Sequence, residues 1–217
     1  MKRTSANEPG RARRPRGRPR EFDRDRALDA AMEVFWNKGF EAASLAELTV
    51  AMGINPPSLY AAFGDKESLF LEAIERYQKH GRDSCPYADE PTARGATEKL
   101  LVYAANEFTN PRHPKGCLMM MAAATSSTSS KRLQEKLAGK RAEARGLIKA
   151  RLERGIAEGE LPPETDAASL AMFYSSVLAG MAMQARDGAS RRTLLMTVEA
   201  AMRAWPKARA KREAAAA

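Results

Sequence analysis

The sequence predicts an all-α protein of about nine helices. Among its 217 residues Ala, Leu, Met, Glu and Arg are abundant, whereas only 6% are aromatic, and this composition favours helices over strands. Apolar residues recur at helical spacing along most of the chain, and no segment alternates as a strand does. The length of 217 residues suffices for one sizeable core or two small ones, and a hydrophobic content of 44% predicts that the chain folds.

The first two predicted helices have recognisable ends. Helix 1 begins near Asp23 and stops at Gly39. Helix 2 begins at Ser44, which forms a capping box with Glu47, because each side chain can satisfy the other residue's backbone N–H. Gly53 ends helix 2 and opens a tight turn.

Helix 3 is short and follows the turn at once. Asn55 caps it, and Pro56 occupies its first position, where a missing N–H has no cost. Gly64 ends helix 3, and Asp65 begins helix 4. Residues 44–63 therefore form a helix-turn-helix, a shape that allows helix 3 to lie in the major groove of DNA.

The composition changes after Gly81. Residues 82–91 contain two prolines and no periodicity, and we place the boundary between two domains there. Beyond this boundary, helices are predicted at about 92–109, from about 117, at about 133–156, at about 164–186 and at about 190–204.

The formal net charge of +9 is concentrated at the N-terminus. Residues 1–20 contain eight basic residues and one acidic residue, a net +7, and we expect this Pro-, Gly- and Arg-rich arm to be disordered. Residues 21–80 contain six basic and eleven acidic residues, a net −5. A domain with that charge should bind polyanionic DNA weakly without the arm.

Residues 21–81 carry a specific pattern of apolar, glycine and polar positions. It comprises Phe35, Gly39-Phe40, Ser44-Leu45-Ala46-Glu47-Leu48, Met52-Gly53-Ile54, Ser58-Leu59-Tyr60-Ala61-Ala62-Phe63, Lys66-Glu67 and Leu69. This pattern resembles the DNA-binding domain of TetR-family transcription regulators, with the same residue types in the same register. The resemblance implies a sequence-specific regulator, a repressor that a small apolar effector releases from its operator. It also implies that residues 82–217 form a helical domain for effector binding and dimerisation.

The resemblance further implies which side chains contact DNA. The residues carried over are Ser44, Asn55, Pro56, Pro57, Ser58, Tyr60 and Lys66. Ser44 and Lys66 would bind phosphate, residues 55–58 would face the bases, and Tyr60 would contact phosphate or a thymine methyl group. Because the two prolines supply no donors, few direct hydrogen bonds to bases are expected, and specificity would depend on DNA shape and apolar contact.

The arm offers two further candidates, Arg16 and Arg18. The sequence Pro15-Arg16-Gly17-Arg18-Pro19 resembles the core of an AT-hook, whose arginines insert into narrow minor grooves. A generic basic tail that contacts phosphates is the alternative.

Predicted helices 8 and 9 carry broad apolar faces, and in the family these helices pair with their symmetry mates as a four-helix bundle. A homodimer presents two helix-turn-helix motifs, so its partner would be double-stranded DNA with a pseudo-palindromic operator. Met119, Met120, Met121 and Phe173 are predicted to line an adaptable pocket for the effector. The methionines could equally be ordinary core residues.

Cys117 lies at the predicted N-terminus of helix 6, beside Arg112, His113 and Lys115. A positive field there would favour the thiolate. Some family members with a similar Gly-Cys-Leu step sense electrophiles or oxidants through that cysteine, so a redox-sensing Cys117 is one alternative. A small buried core residue is the other.

The remaining classes of protein have little support. The two histidines and two cysteines do not have the spacing of a metal site. The sequence also has no nucleophile, paired-carboxylate or phosphate-loop motif, so we predict that the protein is not an enzyme and binds no metal and no cofactor. Without a run of about 18 apolar residues or a signal-peptide pattern, we expect a cytoplasmic protein with no membrane partner. A non-specific architectural DNA-binding protein is the alternative that the basic arm suggests.

Overall fold

The computed structural model describes residues 22–124 and 131–206. All regular secondary structure in these two ranges is helical. The predicted all-α fold is therefore confirmed. The α-helices of this part of the chain are α1 (Arg24–Ala42), α2 (Leu45–Met52), α3 (Pro56–Phe63), α4 (Lys66–Ser84), α5 (Ala93–Phe108), α6 (Leu118–Ala124), α7 (Lys131–Ala157), α8 (Ala167–Arg186) and α9 (Arg191–Arg203). The predicted arm, with Arg16 and Arg18, lies outside the described residues.

α1 is interrupted at Gly39, where the sequence predicted its end. The φ of 78° and ψ of 173° at this residue leave the helical region, and glycine adopts such a conformation without a steric penalty. Phe40 then packs back onto the core, with its ring 5.1 Å from that of Phe70 and 6.3 Å from that of Phe35. The break thereby directs the chain into α2.

α1 to α4 enclose a core of aromatic and aliphatic side chains. Phe35, Leu48, Leu59, Phe70 and Ile74 are fully buried, and the rings of Phe35 and Phe70 meet edge to face at 4.8 Å. Burial of each such side chain contributes roughly 1.5–3 kcal/mol. This core fixes the position of α3 relative to α2.

The same apolar cluster continues beyond residues 82–91. Leu101 of α5, Leu118 of α6 and Tyr174 of α8 belong to the cluster that contains Phe35. α4 also extends past Gly81, to Ser84, and a 3₁₀ turn at 87–89 precedes α5. The two predicted domains are thus two sets of helices that share one continuous core.

α5 and α7 approach each other closely at a glycine. A Cβ atom on Gly155 would lie 2.6 Å from the Cβ of Ala93, so the contact requires glycine. Beside it, Arg151 is 4% exposed and binds Glu160 at 3.5 Å and the carbonyl of Glu90 at 3.1 Å. The other oxygen of Glu160 accepts the N–H of Ala93 at 2.5 Å. One carboxylate therefore caps α5 and neutralises a buried guanidinium.

α8 has one buried face and one exposed apolar face. Tyr174, Met181 and Ala185 pack in the core, whereas Met172 and Met183 are half exposed. Within the described residues α8 alone is long and apolar enough to cross a membrane. A single helix of this kind is weak evidence for a membrane span, because core helices share these properties.

Candidate nucleic-acid interface

The N-terminus of α2 carries the predicted capping box. The hydroxyl of Ser44 accepts the N–H of Glu47 at 3.2 Å, and the Glu47 carboxylate accepts the N–H of Ser44 at 3.1 Å. Lys38 pairs with the same carboxylate, and its hydrogen bond, followed by those from Ser44, lowers the pKa of Glu47 to about 2. A phosphate that approaches the exposed Ser44 therefore meets an ionised carboxylate beside the hydroxyl.

The first turn of α3 has no spare N–H group. Asn55 caps the helix as predicted, because its Oδ1 accepts the N–H of Ser58 at 2.9 Å. Pro56 and Pro57 occupy the first two positions and have no N–H. α3 therefore lacks the cluster of unpaired donors with which a helix N-terminus usually binds phosphate.

α3 has opposite buried and exposed faces. Leu59 and Phe63 are 0% and 3% exposed and attach α3 to the core. The exposed residues of α3 are Pro56, Pro57, Tyr60 and Ala61. Since Tyr60 is 49% exposed, the structure places the predicted DNA-contacting face of α3 outward and the predicted packing residues inward.

Basic side chains of the first domain are largely engaged with the protein itself. Arg24 donates to Glu72 at 2.6 Å and to the carbonyl of Ala62 at 3.2 Å. Arg76 binds Asp29 through two nitrogen atoms, which raises the pKa of the guanidinium. The guanidinium groups of Arg24 and Arg76 are therefore already bound to carboxylates of the protein, and a phosphate would have to compete for them.

Lys66 is a predicted phosphate ligand that also has an internal role. Its Nζ donates to the carbonyl of Glu41 at 3.3 Å and lies 4.6 Å from the centre of the Phe40 ring. Partial burial lowers the pKa of Lys66. Lys66 thus holds the end of α1 in place, and a phosphate contact would compete with this role.

Trp36 and Arg186 connect the first half of the molecule, α1 to α4, to the second half. The Trp36 ring stacks on His113 at 4.5 Å and meets Tyr77 edge to face at 4.9 Å. Arg186, at the end of α8, donates to the carbonyls of Trp36 at 3.2 Å and Asn37 at 2.7 Å. These contacts join residues far apart in the sequence, so no local pattern could have indicated them.

Cys117 immediately precedes α6, as predicted. Its Sγ receives hydrogen bonds from the backbone of Met119 and Met120 and from the side chain of Tyr77, but its complete burial outweighs them and raises the pKa of the thiol. The positive field expected from neighbouring basic residues does not offset this desolvation. Of the two alternatives for Cys117, burial of the thiol therefore favours a neutral core residue over a thiolate.

The four predicted pocket residues differ in their exposure to solvent. Met119 and Met121 are each 6% exposed, and Met120 packs against the main core. Phe173 is 40% exposed and lines an open surface depression of about 410 Å³ at the start of α8. Gly116, which precedes α6, lies against the carbonyl of Ala182, about 13 Å along α8 from Phe173. The depression that Phe173 lines contains none of the three methionines, and an effector pocket shared by all four residues stays a prediction.

The two cysteines occupy separate environments. Cys85 ends α4, where its Sγ lies 4.0 Å from the carbonyl of Lys99, and burial raises the pKa of its thiol. Both cysteines are unpaired and buried. Across residues 22–124 and 131–206, no group of three or more His, Cys, Asp or Glu is arranged to hold a metal ion.

Both halves of the chain match models of one family. Residues 27–73 match the bacterial regulatory proteins of the tetR family, and residues 97–205 match the tetracyclin repressor-like C-terminal domain. The chain therefore belongs to the TetR family of helix-turn-helix transcription regulators, as the pattern of residues 21–81 predicted.

Its relatives include transcriptional repressors. ComR of Escherichia coli K12 is 36% identical over 200 residues, which cover 90% of this chain and 94% of ComR. BdcR of the same strain is 40% identical over 109 residues, which cover 48% of this chain and 54% of BdcR. A cysteine mutant of the TetR-family regulator CifR, solved with 26-base-pair double-stranded operator DNA, is 49% identical, with a TM-score of 0.82 and coverage of 87% of this chain and 100% of that chain. The predicted class, a DNA-binding transcription regulator of the TetR family, is thus confirmed.

Proposed function

We propose that this protein is a cytoplasmic repressor that binds a specific operator as a homodimer and leaves it when a small apolar effector binds. The observation that carries this proposal is the orientation of α3, which buries Leu59 and Phe63 and exposes Tyr60. A short helix held rigidly with one face outward fits the major groove. The repressor activity of ComR and the operator complex of CifR support the same conclusion.

The second copy is supported by an exposed apolar face on α8 and α9. Met172, Phe173, Met183 and Met196 are between 40% and 60% exposed. A Cβ atom on Gly180 would meet nothing within 4 Å, so the middle of α8 is open to a close helix approach. Pairing of this face with its symmetry mate would form a four-helix bundle, with Phe173 at the dimer contact.

Two lysine substitutions test this dimer. Met183→Lys places a charge on the proposed interface, whereas Leu147→Lys makes the same change on α7, where Leu147 is 50% exposed. Sedimentation should find Met183→Lys monomeric and weak in operator binding, and Leu147→Lys dimeric with normal affinity. Dissociation of the Leu147→Lys protein alone would show that the dimer uses another face.

The operator is the most direct test of the function. Selection from random DNA should recover two inverted half-sites, because two α3 copies related by a twofold axis require them. Specific binding should exceed binding to random DNA by about a thousandfold or more. Equal affinity for all sequences, with a long uniform footprint, would support the architectural alternative instead.

Release by an effector is supported by the contacts between the two halves. Trp36 stacks on His113, just before α6, and Arg186 of α8 binds the end of α1. A ligand that displaces α6, which carries the buried Met119 and Met121, would alter these contacts and the spacing of the two α3 helices. Neutral apolar compounds should therefore lower operator affinity while raising the melting temperature, and charged analogues should do neither.

A second candidate signal is covalent modification of Cys117. Its position between Tyr77 of α4 and the start of α6 would couple a modified thiol to the DNA-binding half, and the similar CifR structures carry cysteine substitutions. Cys117→Ser should bind the operator normally but stop responding to peroxide or quinone. Cys85→Ser, which changes the other buried cysteine, is the matched control and should still respond. A wild-type protein that never responds would leave Cys117 a core residue.

A further inference from the structure

We infer that α3 recognises the methyl groups of thymine in the operator half-site through Pro56, Pro57 and Ala61, an inference that rests on the proposed operator binding. The first observation is chemical. α3 contains no Arg, Lys, Asn or Gln, the residue types that form bidentate hydrogen bonds with guanine or adenine in the major groove. Recognition of purine edges in that way is therefore not open to this helix.

The polar groups that α3 and its cap retain are few and partly engaged. The Oδ1 of Asn55 accepts the N–H of Ser58, and Ser58 itself is only partly exposed. On the outward face of α3, which is described in full, the hydroxyl of Tyr60 is the one polar side-chain group. A single hydroxyl does not distinguish the four base pairs, because it can donate to or accept from several base edges.

Nearby cations do not replace the missing donors. Arg24 lies 4.4 Å from the centre of the Phe63 ring and binds Glu72, so its guanidinium is held on the protein side of α3. Lys66 donates to the carbonyl of Glu41. Neither cation projects from the outward face of α3.

What the outward face does offer is apolar surface. Pro56, Pro57, Tyr60 and Ala61 are all exposed, and positions i, i+1, i+4 and i+5 lie on one side of a helix. In the major groove the C5-methyl group of thymine is the apolar group that distinguishes thymine from cytosine. The two proline rings and the alanine methyl group therefore match thymine better than any other base.

Deoxyuridine is the probe that isolates the methyl group, since it removes that group and leaves base pairing unchanged. In the selected operator, each thymine is replaced singly and then in symmetric pairs. Loss of one buried methyl contact should weaken binding about fourfold, and loss of the symmetric pair roughly fifteenfold. A cytosine at the same position should weaken binding as well, and 5-methylcytosine should recover most of that loss.

Two alanine variants connect the methyl contact to α3. Ala61→Gly removes the proposed contact. Ala62→Gly makes the same change at the adjacent position, which is less exposed and whose carbonyl accepts a hydrogen bond from Arg24. Both variants lose about the same helix propensity. Ala61→Gly should become insensitive to deoxyuridine at one half-site position, whereas Ala62→Gly should keep the wild-type sensitivity.

The outcomes separate this inference from the proposed function. Failure to select any preferred sequence would overturn both. An operator that is bound specifically, yet tolerates deoxyuridine at every thymine and is weakened by 7-deazapurines, would overturn the methyl contact alone. Loss of affinity confined to one or two thymine positions per half-site, abolished by Ala61→Gly, would establish it.

Discussion

Tyr60 and Leu59 are adjacent in α3 but face in opposite directions. Truncation of Tyr60 should lower operator affinity, whereas truncation of Leu59 should lower stability. Leu59 is fully buried and Tyr60 is 49% exposed. Tyr60→Ala should therefore weaken operator binding in a protein that stays folded. Leu59→Ala should destabilise the protein, while the folded fraction retains nearly normal affinity.

The expected magnitudes follow from these exposures. Leu59→Ala opens a cavity in a closed core and should lower the free energy of unfolding by about 2–5 kcal/mol. Tyr60→Ala removes a half-buried ring and gains helix propensity, so the loss should stay below about 1 kcal/mol. If each Tyr60 contributes about 1–1.5 kcal/mol of DNA contact, a dimer loses 2–3 kcal/mol, or roughly 30- to 150-fold in affinity.

Urea denaturation and fluorescence anisotropy on a labelled operator measure the two quantities separately. Affinity is determined well below the melting temperature and corrected for the active fraction. A large loss of stability in Tyr60→Ala with unchanged affinity would falsify the assigned rotation of α3. Equal effects of both substitutions on affinity would show that α3 does not lie in the groove.

Three other perturbations test separate parts of the molecule. Glu160→Gln leaves Arg151 without its ion-pair partner and should lower the free energy of unfolding by about 2–3 kcal/mol, whereas operator affinity should not change; a loss below about 0.5 kcal/mol would mean that the pair is unimportant. The pKa of Glu47 is about 2 in the folded protein, against an ordinary 4.5. The ionised carboxylate therefore stabilises the native state above about pH 4.5, and this stabilisation disappears as the pH falls towards 2. Glu47→Gln should therefore flatten the acid limb of the stability profile, and an identical limb would contradict the assignment. Deletion of residues 1–20 should lower the salt exponent of operator binding by roughly 5, if each arm of a dimer neutralises about three phosphates; an unchanged exponent would remove the arm from the interface.

Local features of the sequence predicted the helices and their faces well. The capping box of Ser44 and Glu47, the cap at Asn55 and the break at Gly39 all occur where expected. Each of these features depends on residues within about four positions of one another, so the chain does not need its tertiary structure to specify them. The inward orientation of Leu59 follows from periodicity in the same way.

The state of the individual side chains was decided by the tertiary structure alone. The sequence left Cys117 as either a thiolate sensor or a buried core residue, and helices distant in sequence bury it and raise the pKa of its thiol. Phe173 was predicted to line a pocket, and the packing of α8 leaves it 40% exposed beside a depression that contains none of the predicted methionines. Lys66 binds a carbonyl 25 residues earlier, and Arg186 binds one 150 residues earlier. Sequence periodicity gives the direction in which a side chain points from its helix. The burial, charge state and partner of that side chain depend on which other helix packs there, and only the tertiary structure determines which helix that is.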